Sequence, residues 1–149
     1  MGTDRRDDKG IDRKEMISHT TKVRVRYADT DKMGVVYYSN YAVYYEVART
    51  EMFRELGFPY SEMEKAGIAL PVKELSCKYH KSARYDELLS VEARIETMPT
   101  AKVVFNYEIK NEAGELLNEG STTLVFVNIE TGRPTRVPKV LAAAMEKYF

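Results

Sequence analysis

The first ordered pattern along the chain alternates hydrophobic and polar residues with a period of two. Val23, Val25 and Tyr27 are separated by Arg24 and Arg26. A period of two places alternate side chains on opposite faces of a strand. The pattern therefore predicts a half-buried strand that extends to Tyr27.

The period then changes to three or four residues, which predicts a long helix. Its N-cap is expected at Ser39 or Asn40, and Gly57 follows its last turn. The predicted polar positions on this helix are Arg49, Glu51, Arg54 and Glu55. The hydrophobic stripe contains Tyr41, Tyr44, Tyr45, Ala48, Met52 and Leu56. Because this stripe is wide, we expect a curved sheet to cover it.

After a short turn or helix at 61–66, the chain returns to strand-like patterns. Four predicted strands are ALPVKELSCKYH (69–80), LLSVEARIETM (88–98), VVFNYEIK (103–110) and LLNEGSTTLVFVN (116–128). Short links such as NEAG favour antiparallel hairpins, so we expect these strands to form a meander. A C-terminal helix is predicted from Pro138 onwards. The fold class is α+β, with one antiparallel sheet curled around a central helix.

Composition narrows the possible functions. The 149 residues contain 23 Lys plus Arg and 23 Asp plus Glu, so there is no overall basic surface for nucleic acid. Cys77 is the single cysteine, which excludes an internal disulfide or a multi-cysteine zinc site. No apolar run is long enough for membrane insertion, and a cytoplasmic protein is expected. Residues 1–17 are predicted to be a disordered charged tail, and residues 18–149 a single domain.

The sequence DTDKMG, between the first strand and the helix, is the strongest candidate for chemistry. Asp29, Asp31 and Gly34 have the spacing that opens a calcium-binding loop. However, Met33 occupies a position where that loop needs an oxygen ligand, and Asn40 occupies the position of its bidentate glutamate, so we expect no metal. A plain turn is the first alternative, since Asp and Gly are common in turns. Asp29 is interpreted as such a turn residue.

A hydrolytic site is the second alternative. The loop leads into a helix N-terminus, where free N–H groups can stabilise an oxyanion. One carboxylate and such donors would suffice for a thioester, because a thiolate with a conjugate-acid pKa of roughly 8.5 is a good leaving group. An amide or ester would also need a proton donor for its leaving group.

Three segments together resemble a known family. They are Y-x-D-x-D-x-x-G-V-V-Y-Y-x-N-Y, then Y-x-E-x-A-R-T-E, and later CKYHKSARYDELLSVEARI. In this order they resemble the hotdog-fold acyl-CoA thioesterases, especially the 4-hydroxybenzoyl-CoA and Tol-Pal-associated groups. The resemblance implies a five-stranded antiparallel sheet wrapped around a long helix. It also implies dimers paired edge to edge with active sites at the subunit interface, and no cofactor apart from the coenzyme A of the substrate. The exposed edges of a small sheet independently favour a homodimer or a homotetramer.

The resemblance also implies residue roles. Asp31 corresponds to the catalytic carboxylate, acting either as a nucleophile or as a general base. The backbone N–H of Tyr38 corresponds to the donor that polarises the thioester carbonyl. Gly34 is expected to provide turn geometry and close backbone approach. The Tol-Pal-associated enzymes commonly have histidine at the position of Tyr38. Tyr37 and Tyr41 are expected to line an acyl pocket.

Other polar residues have two interpretations each. Lys78, His80, Lys81 and Arg84 form a cationic cluster that is either a solvated surface or a contact for the phosphates of coenzyme A.

Glu46 is a possible second catalytic acid, although an ion pair with Arg49 is favoured. At the level of the whole chain, the alternative to an enzyme is a non-catalytic hotdog protein that binds acyl-CoA or acyl carrier protein.

Overall fold

Seven strands and three α-helices follow one another in residues 15–149, the part of the chain that the computed structural model describes. The strands are β1 (Ile17–Arg24), β2 (Ile68–Ala69), β3 (Val72–Tyr79), β4 (Leu88–Ile95), β5 (Lys102–Lys110), β6 (Leu116–Val125) and β7 (Val127–Asn128). The helices are α1 (Asn40–Glu55), α2 (Tyr60–Lys65) and α3 (Lys139–Glu146). Within this range no helix is both long and apolar enough to cross a membrane. Most of the predicted charged tail lies outside the described residues, and β1 already begins at Ile17.

Five strands form one antiparallel sheet in the order β1-β4-β5-β6-β3. The predicted α+β class is therefore confirmed. The predicted four-strand meander is wrong, because only β4, β5 and β6 are sequential neighbours and β3 pairs with β6 at the far edge. Residues 80–87 carry the chain past the start of α1, where Val36 N–H donates to Ala83 O at 2.8 Å. This crossing leaves β1 and β3 at opposite edges of the sheet.

Several predicted strands differ from the observed ones at their ends. The segment 88–98 stops at Ile95, and the segment 116–128 is split into β6 and β7 at Phe126. The first strand stops at Arg24, and Tyr27 instead begins a 3-10 turn with its side chain 81% exposed. The segment 69–80 is split into β2 and β3, and Pro71 lies in the break. Proline cannot donate a ladder hydrogen bond, so it interrupts the strand. The short β2 pairs with β7 rather than joining the main sheet.

The core lies between α1 and the inner face of the sheet. Alternate residues of β4 and β5 are buried, as their period-two patterns predict: Leu89, Val91, Ala93, Ile95, Val103, Phe105, Tyr107 and Ile109. Helix α1 covers them and ends at Glu55, with Leu56 as its C-cap and Gly57 following at φ +83°, as predicted.

Arg49 and Glu46 differ from their predicted roles on α1. Arg49 is only 8% exposed and lies beside Tyr60 and Tyr107, so its assignment to the polar face is wrong. In the described part of the chain Glu46 forms no ion pair with Arg49, which contradicts the predicted pair. Glu46 is instead exposed on the helix surface.

A buried polar link joins α1 to the β3–β6 edge. Tyr45 stacks on Tyr107 with ring centres 4.2 Å apart, and its hydroxyl donates to Asn118 Oδ1. Asn118 Nδ2 in turn lies 3.0 Å from Cys77 Sγ. Gly120 pairs with Cys77, and a Cβ at Gly120 would overlap the Ser76 carbonyl oxygen and the Tyr45 hydroxyl. The absence of a side chain at Gly120 therefore permits this link.

We expect Gly120→Ala to destabilise the fold by about 1–3 kcal/mol, because the added methyl group must displace backbone and a buried tyrosine. Urea unfolding measures this change. Ser121→Ala is the matched control on the same strand, since its hydroxyl makes an exposed bond to Ser76. It should change the free energy of unfolding by less than about 0.5 kcal/mol. Equal stability of the two variants would contradict the packing argument.

Candidate active site

The loop between β1 and α1 contains both predicted catalytic groups. An isolated bridge between Thr30 and Val36 closes it, and Asp31 N–H donates to Val35 O at 2.9 Å. Gly34 N–H donates a hydrogen bond to Asp31 O at 3.0 Å, and Gly34 has φ +75°. The turn therefore requires the conformational freedom of glycine. A Cβ at Gly34 would meet no atom within 4 Å, so the expected close backbone approach is not seen within the described residues.

Asp31 presents an exposed carboxylate at the tip of this loop. Its Oδ1 accepts a hydrogen bond from Met33 N–H at 2.8 Å, which fixes the side chain over the turn. Its Oδ2 has no hydrogen-bond partner among residues 15–149. One carboxylate oxygen is thus held in place, and the other is available to a water molecule or an electrophile.

Tyr38 carries a free backbone N–H just before α1. The neighbouring Tyr37 N–H donates to Asp29 O, and Asn40 N–H donates to Tyr37 O, each at 2.9 Å. No acceptor for the Tyr38 N–H is present in the described part of the chain. Free N–H groups at a helix start, together with the helix dipole, favour a negatively charged oxygen.

A cleft of about 280 Å³ lies beside this helix start. Its lining residues are Val36, Tyr38, Tyr41, Tyr79, His80, Lys81 and Ser82. The Tyr79 hydroxyl donates to Tyr38 O at 3.2 Å, and the rings of Tyr41 and Tyr79 meet edge to face at 5.3 Å. Burial raises the pKa of Tyr41, so its hydroxyl stays protonated while it accepts from Ala83 N–H at 3.1 Å.

The two tyrosines predicted to line the pocket therefore lie in different places. Tyr41 lines the cleft, whereas Tyr37 does not and instead packs its ring on Tyr38 at 4.7 Å. Tyr79 was missed as a site residue. Its position two residues after Cys77 places both on the inner face of β3, which is the signal that would have identified it.

The four predicted cations do not form one cluster. Lys78 lies on the outer face of the sheet with Glu119 and Ser121, away from the cleft. The His80 side chain is hydrogen-bonded to Glu119 at 2.9 Å, and Lys81 is paired with Glu115 at 2.6 Å, so both side chains already have partners. The backbone of Arg84 is bridged to Val35 in the Asp31 loop, and its side chain is exposed. Only His80 and Lys81 line the cleft.

Asp29, unlike Asp31, is buried and surrounded by hydrogen-bond donors. It is 5% exposed, and its Oδ2 accepts from Arg26 N–H and from the Tyr44 hydroxyl, each at 3.0 Å. The Arg26 guanidinium lies 3.0 Å from Oδ1. Burial alone raises the pKa of Asp29, but these hydrogen bonds outweigh burial and hold the pKa below its ordinary value. Asp29 is therefore more than the simple turn residue predicted.

Comparisons with known proteins agree with this architecture. Residues 25–145 match the family described as the thioesterase-like superfamily. The chain is 41% identical to the Bacillus subtilis protein YneP over 123 residues, covering 81% of this chain and 89% of that protein. It is 35% identical to the Escherichia coli acyl-CoA thioester hydrolase YbgC over 125 residues, covering 84% and 93%. A solved DHNA-CoA thioesterase from Staphylococcus aureus shares 42% identity with a TM-score of 0.81, covering 88% of each chain.

We expect Asp29→Asn to lower the free energy of unfolding by about 1–3 kcal/mol at neutral pH, because a buried carboxylate loses charge-assisted hydrogen bonds. The difference from the parent should shrink on acidification. The ordinary pKa of this carboxyl group is 3.8, so as the pH falls below that value the unfolded chain binds a proton before the folded chain does. The stabilisation is therefore lost as the pH falls through the lowered pKa of the folded state.

Chemical unfolding across this pH range measures the effect. Asp31→Asn is the matched control, since its exposed side chain can still accept from Met33 N–H. It should stay within about 0.5 kcal/mol of the parent at neutral pH. A pH-independent difference between Asp29→Asn and the parent would contradict the assigned role of the Asp29 charge.

Proposed function

This chain belongs to the thioesterase-like superfamily, and on that premise we propose that it hydrolyses acyl-CoA thioesters to a free acid and coenzyme A. One observation carries the proposal. The loop that enters α1 holds an exposed carboxylate, Asp31, and an unpaired backbone N–H, Tyr38, seven residues apart in sequence. These are the two groups that thioester hydrolysis needs.

The Tyr38 N–H is proposed to bind the carbonyl oxygen of the thioester. Negative charge grows on that oxygen when a nucleophile adds to the carbonyl carbon, and a fixed N–H dipole stabilises it. The start of α1 adds the positive end of its dipole at the same place. Because the donor belongs to the backbone, the tyrosine side chain is free to line the cleft.

Asp31 is proposed to drive the addition by one of two routes. As a general base, Oδ2 takes a proton from water, and the hydroxide adds to the carbonyl carbon. As a nucleophile, the carboxylate forms a mixed anhydride that water then hydrolyses. In both routes the C–S bond breaks and coenzyme A leaves as a thiolate, which takes up a proton. No cofactor enters either route, because coenzyme A is part of the substrate.

We also propose that two copies pair along β3. This strand is at the edge of the sheet, and its inner face exposes Val72, Leu75 and Tyr79, which are 44%, 49% and 52% accessible. Their ladder partners on β6 are buried, so these side chains lie on the core side of the sheet. An exposed apolar edge strand favours pairing with another strand, and two-fold pairing with a second copy is the commonest solution.

Asp31→Asn should abolish thioester hydrolysis, because an amide neither accepts a proton from water nor attacks a carbonyl at neutral pH. We expect a loss of at least about 100-fold in kcat. Release of free thiol from acetyl-, decanoyl-, palmitoyl- and benzoyl-CoA measures it, with Glu46→Gln as a control carboxylate on α1. If the parent protein released no thiol from any of these thioesters, the result would favour a non-catalytic binding protein. Parental rates in Asp31→Asn would refute the assignment of Asp31.

Tyr38→Pro tests the backbone donor. The Asn40 N–H to Tyr37 O bond makes Tyr38 the second residue of a four-residue turn, a position where proline is favoured. The substitution removes an N–H that has no acceptor in the described residues. We expect kcat to fall about 100- to 1,000-fold, the usual cost of one oxyanion donor.

Tyr38→Ala is the matched control, because it removes the side chain and keeps the N–H. It should retain most of the parental kcat, and thermal unfolding should confirm that both variants fold. Equal losses in the two variants would show that the side chain, rather than the backbone, is required.

A further inference from the structure

The start of α1 lacks the side-chain contacts that commonly stabilise a helix N-terminus. Its N-cap, Ser39, forms no side-chain capping hydrogen bond within residues 15–149, and its first turn contains no acidic residue. A capping bond usually satisfies one of the free N–H groups and stabilises the first turn. In the proposed reaction, however, the adjacent Tyr38 N–H must point steadily at the substrate. Contacts from outside the helix therefore have to hold this segment in place.

Asp29 provides such contacts from the side of the β1–α1 loop. Its carbonyl oxygen accepts from Tyr37 N–H at 2.9 Å and from Asn40 Nδ2 at 2.8 Å. These bonds hold the two ends of the turn formed by residues 37–40. They do not reach the central peptide of that turn, which joins Tyr38 to Ser39. The orientation of this central peptide is what distinguishes a type I turn from a type II turn.

Tyr79 contacts the central peptide from the end of β3. Its hydroxyl donates to Tyr38 O at 3.2 Å. Ser39 has φ −71° and ψ −18°, which fits the second central residue of a type I turn. A type II turn would require a positive φ at Ser39, which favours glycine, and it would break the bond from Tyr79. The Tyr79 hydroxyl therefore reinforces the form of the turn in which the Tyr38 N–H is left free.

The Tyr79 side chain is itself held by the core. Its ring meets the buried ring of Tyr41 edge to face at 5.3 Å, and its backbone forms the last pair of the β3–β6 ladder with Asn118. Its interaction with the Cys77 thiol, more than its burial, raises the pKa of Tyr79 to about 12. The hydroxyl thus keeps its proton at neutral pH and remains a donor. Cys77 Sγ in turn lies 3.0 Å from Asn118 Nδ2.

We propose that Tyr79 is a positioning residue for thioester hydrolysis, because its hydroxyl holds the Tyr38 carbonyl and so keeps the Tyr38 N–H directed at the carbonyl oxygen of the substrate. The inference rests on the proposed function. In this account Tyr79 acts through the turn and does not need to touch the substrate. A small displacement of an oxyanion donor is costly, since the stabilisation depends on a fixed geometry.

Tyr79→Phe removes the hydroxyl and keeps the ring against Tyr41. We expect kcat for decanoyl-CoA to fall about five- to tenfold, the weight of roughly one neutral hydrogen bond, while KM stays within about twofold. Tyr85→Phe is the matched control, since Tyr85 is 54% exposed, lies outside the cleft and keeps its ring contact with Tyr27. It should leave kcat unchanged. A parental kcat in Tyr79→Phe would overturn the inference.

Combining Tyr79→Phe with Tyr38→Pro tests whether Tyr79 acts through the Tyr38 N–H. Once the N–H is absent, the hydroxyl has no donor to position, so the second substitution should lower kcat by less than about twofold. A residue that bound the substrate directly, or that only supported the fold, would cause the same five- to tenfold loss in both backgrounds. That additive result would reject the positioning role.

Amide hydrogen exchange in the protein without substrate separates this inference from the proposed function. The Asn40 N–H is bonded to Tyr37 O across the turn, so its exchange reports opening of the turn. Tyr79→Phe should accelerate this exchange about five- to tenfold, and Tyr85→Phe should not. Faster exchange in a parent that hydrolyses no thioester would refute the proposed function and still support the role of Tyr79 in the turn. Unchanged exchange in Tyr79→Phe would overturn the inference.

Discussion

The hydrogen bonds of Asp29 hold the end of β1, the following loop and the start of α1 in one arrangement. Its carboxylate accepts from Arg26 N–H and Tyr44, and its carbonyl accepts from Tyr37 N–H and the Asn40 side chain. The candidate site depends on these bonds, because they orient the segment between Asp31 and α1. The Tyr37 N–H is occupied, and the next N–H, that of Tyr38, is left free. A buried anion, stabilised by its donors, thus fixes the end of the loop that leads into the candidate site.

Two acids separated by one residue have opposite roles because their surroundings differ. Asp29 is buried and fully committed to donors, so its charge contributes to stability and is not available for chemistry. Asp31 is exposed and has one uncommitted oxygen, so it contributes little to the fold. The minimal set of one carboxylate and one backbone N–H suits a thioester, whose thiolate leaves without a proton donor. Because the leaving group needs no proton donor, the proposed scheme requires neither a histidine base nor a metal in the cleft.

Much of the fold could be predicted from the sequence, because α1, β4 and β5 each bury one face and so have strong periodicity. Most of their buried residues and the C-cap of α1 at Leu56 follow from local patterns, but the buried Arg49 and Phe53 of α1 were not predicted. The position of β3 could not be predicted from local patterns, because strand order depends on the crossing of residues 80–87 and not on the strand's own sequence. The Asp31 loop was found through its motif, whereas the Asp29–Tyr44 contact, fifteen residues apart, was not. The cation cluster was predicted from proximity in sequence, but Lys78 lies on the outer face of the sheet, whereas His80 and Lys81 follow the end of β3 and line the cleft.

The central claim is that Asp31 and the Tyr38 N–H act on the same thioester carbonyl. The most direct measurement is the infrared stretching frequency of that carbonyl in acyl-CoA bound to Asp31→Asn, with isotopic labelling of the carbonyl carbon. A hydrogen bond from the backbone weakens the C=O bond, so the frequency should fall below its value in solution. It should stay low in Asp31→Asn/Tyr38→Ala and return to the solution value in Asp31→Asn/Tyr38→Pro. The same frequency in all three proteins would contradict the account.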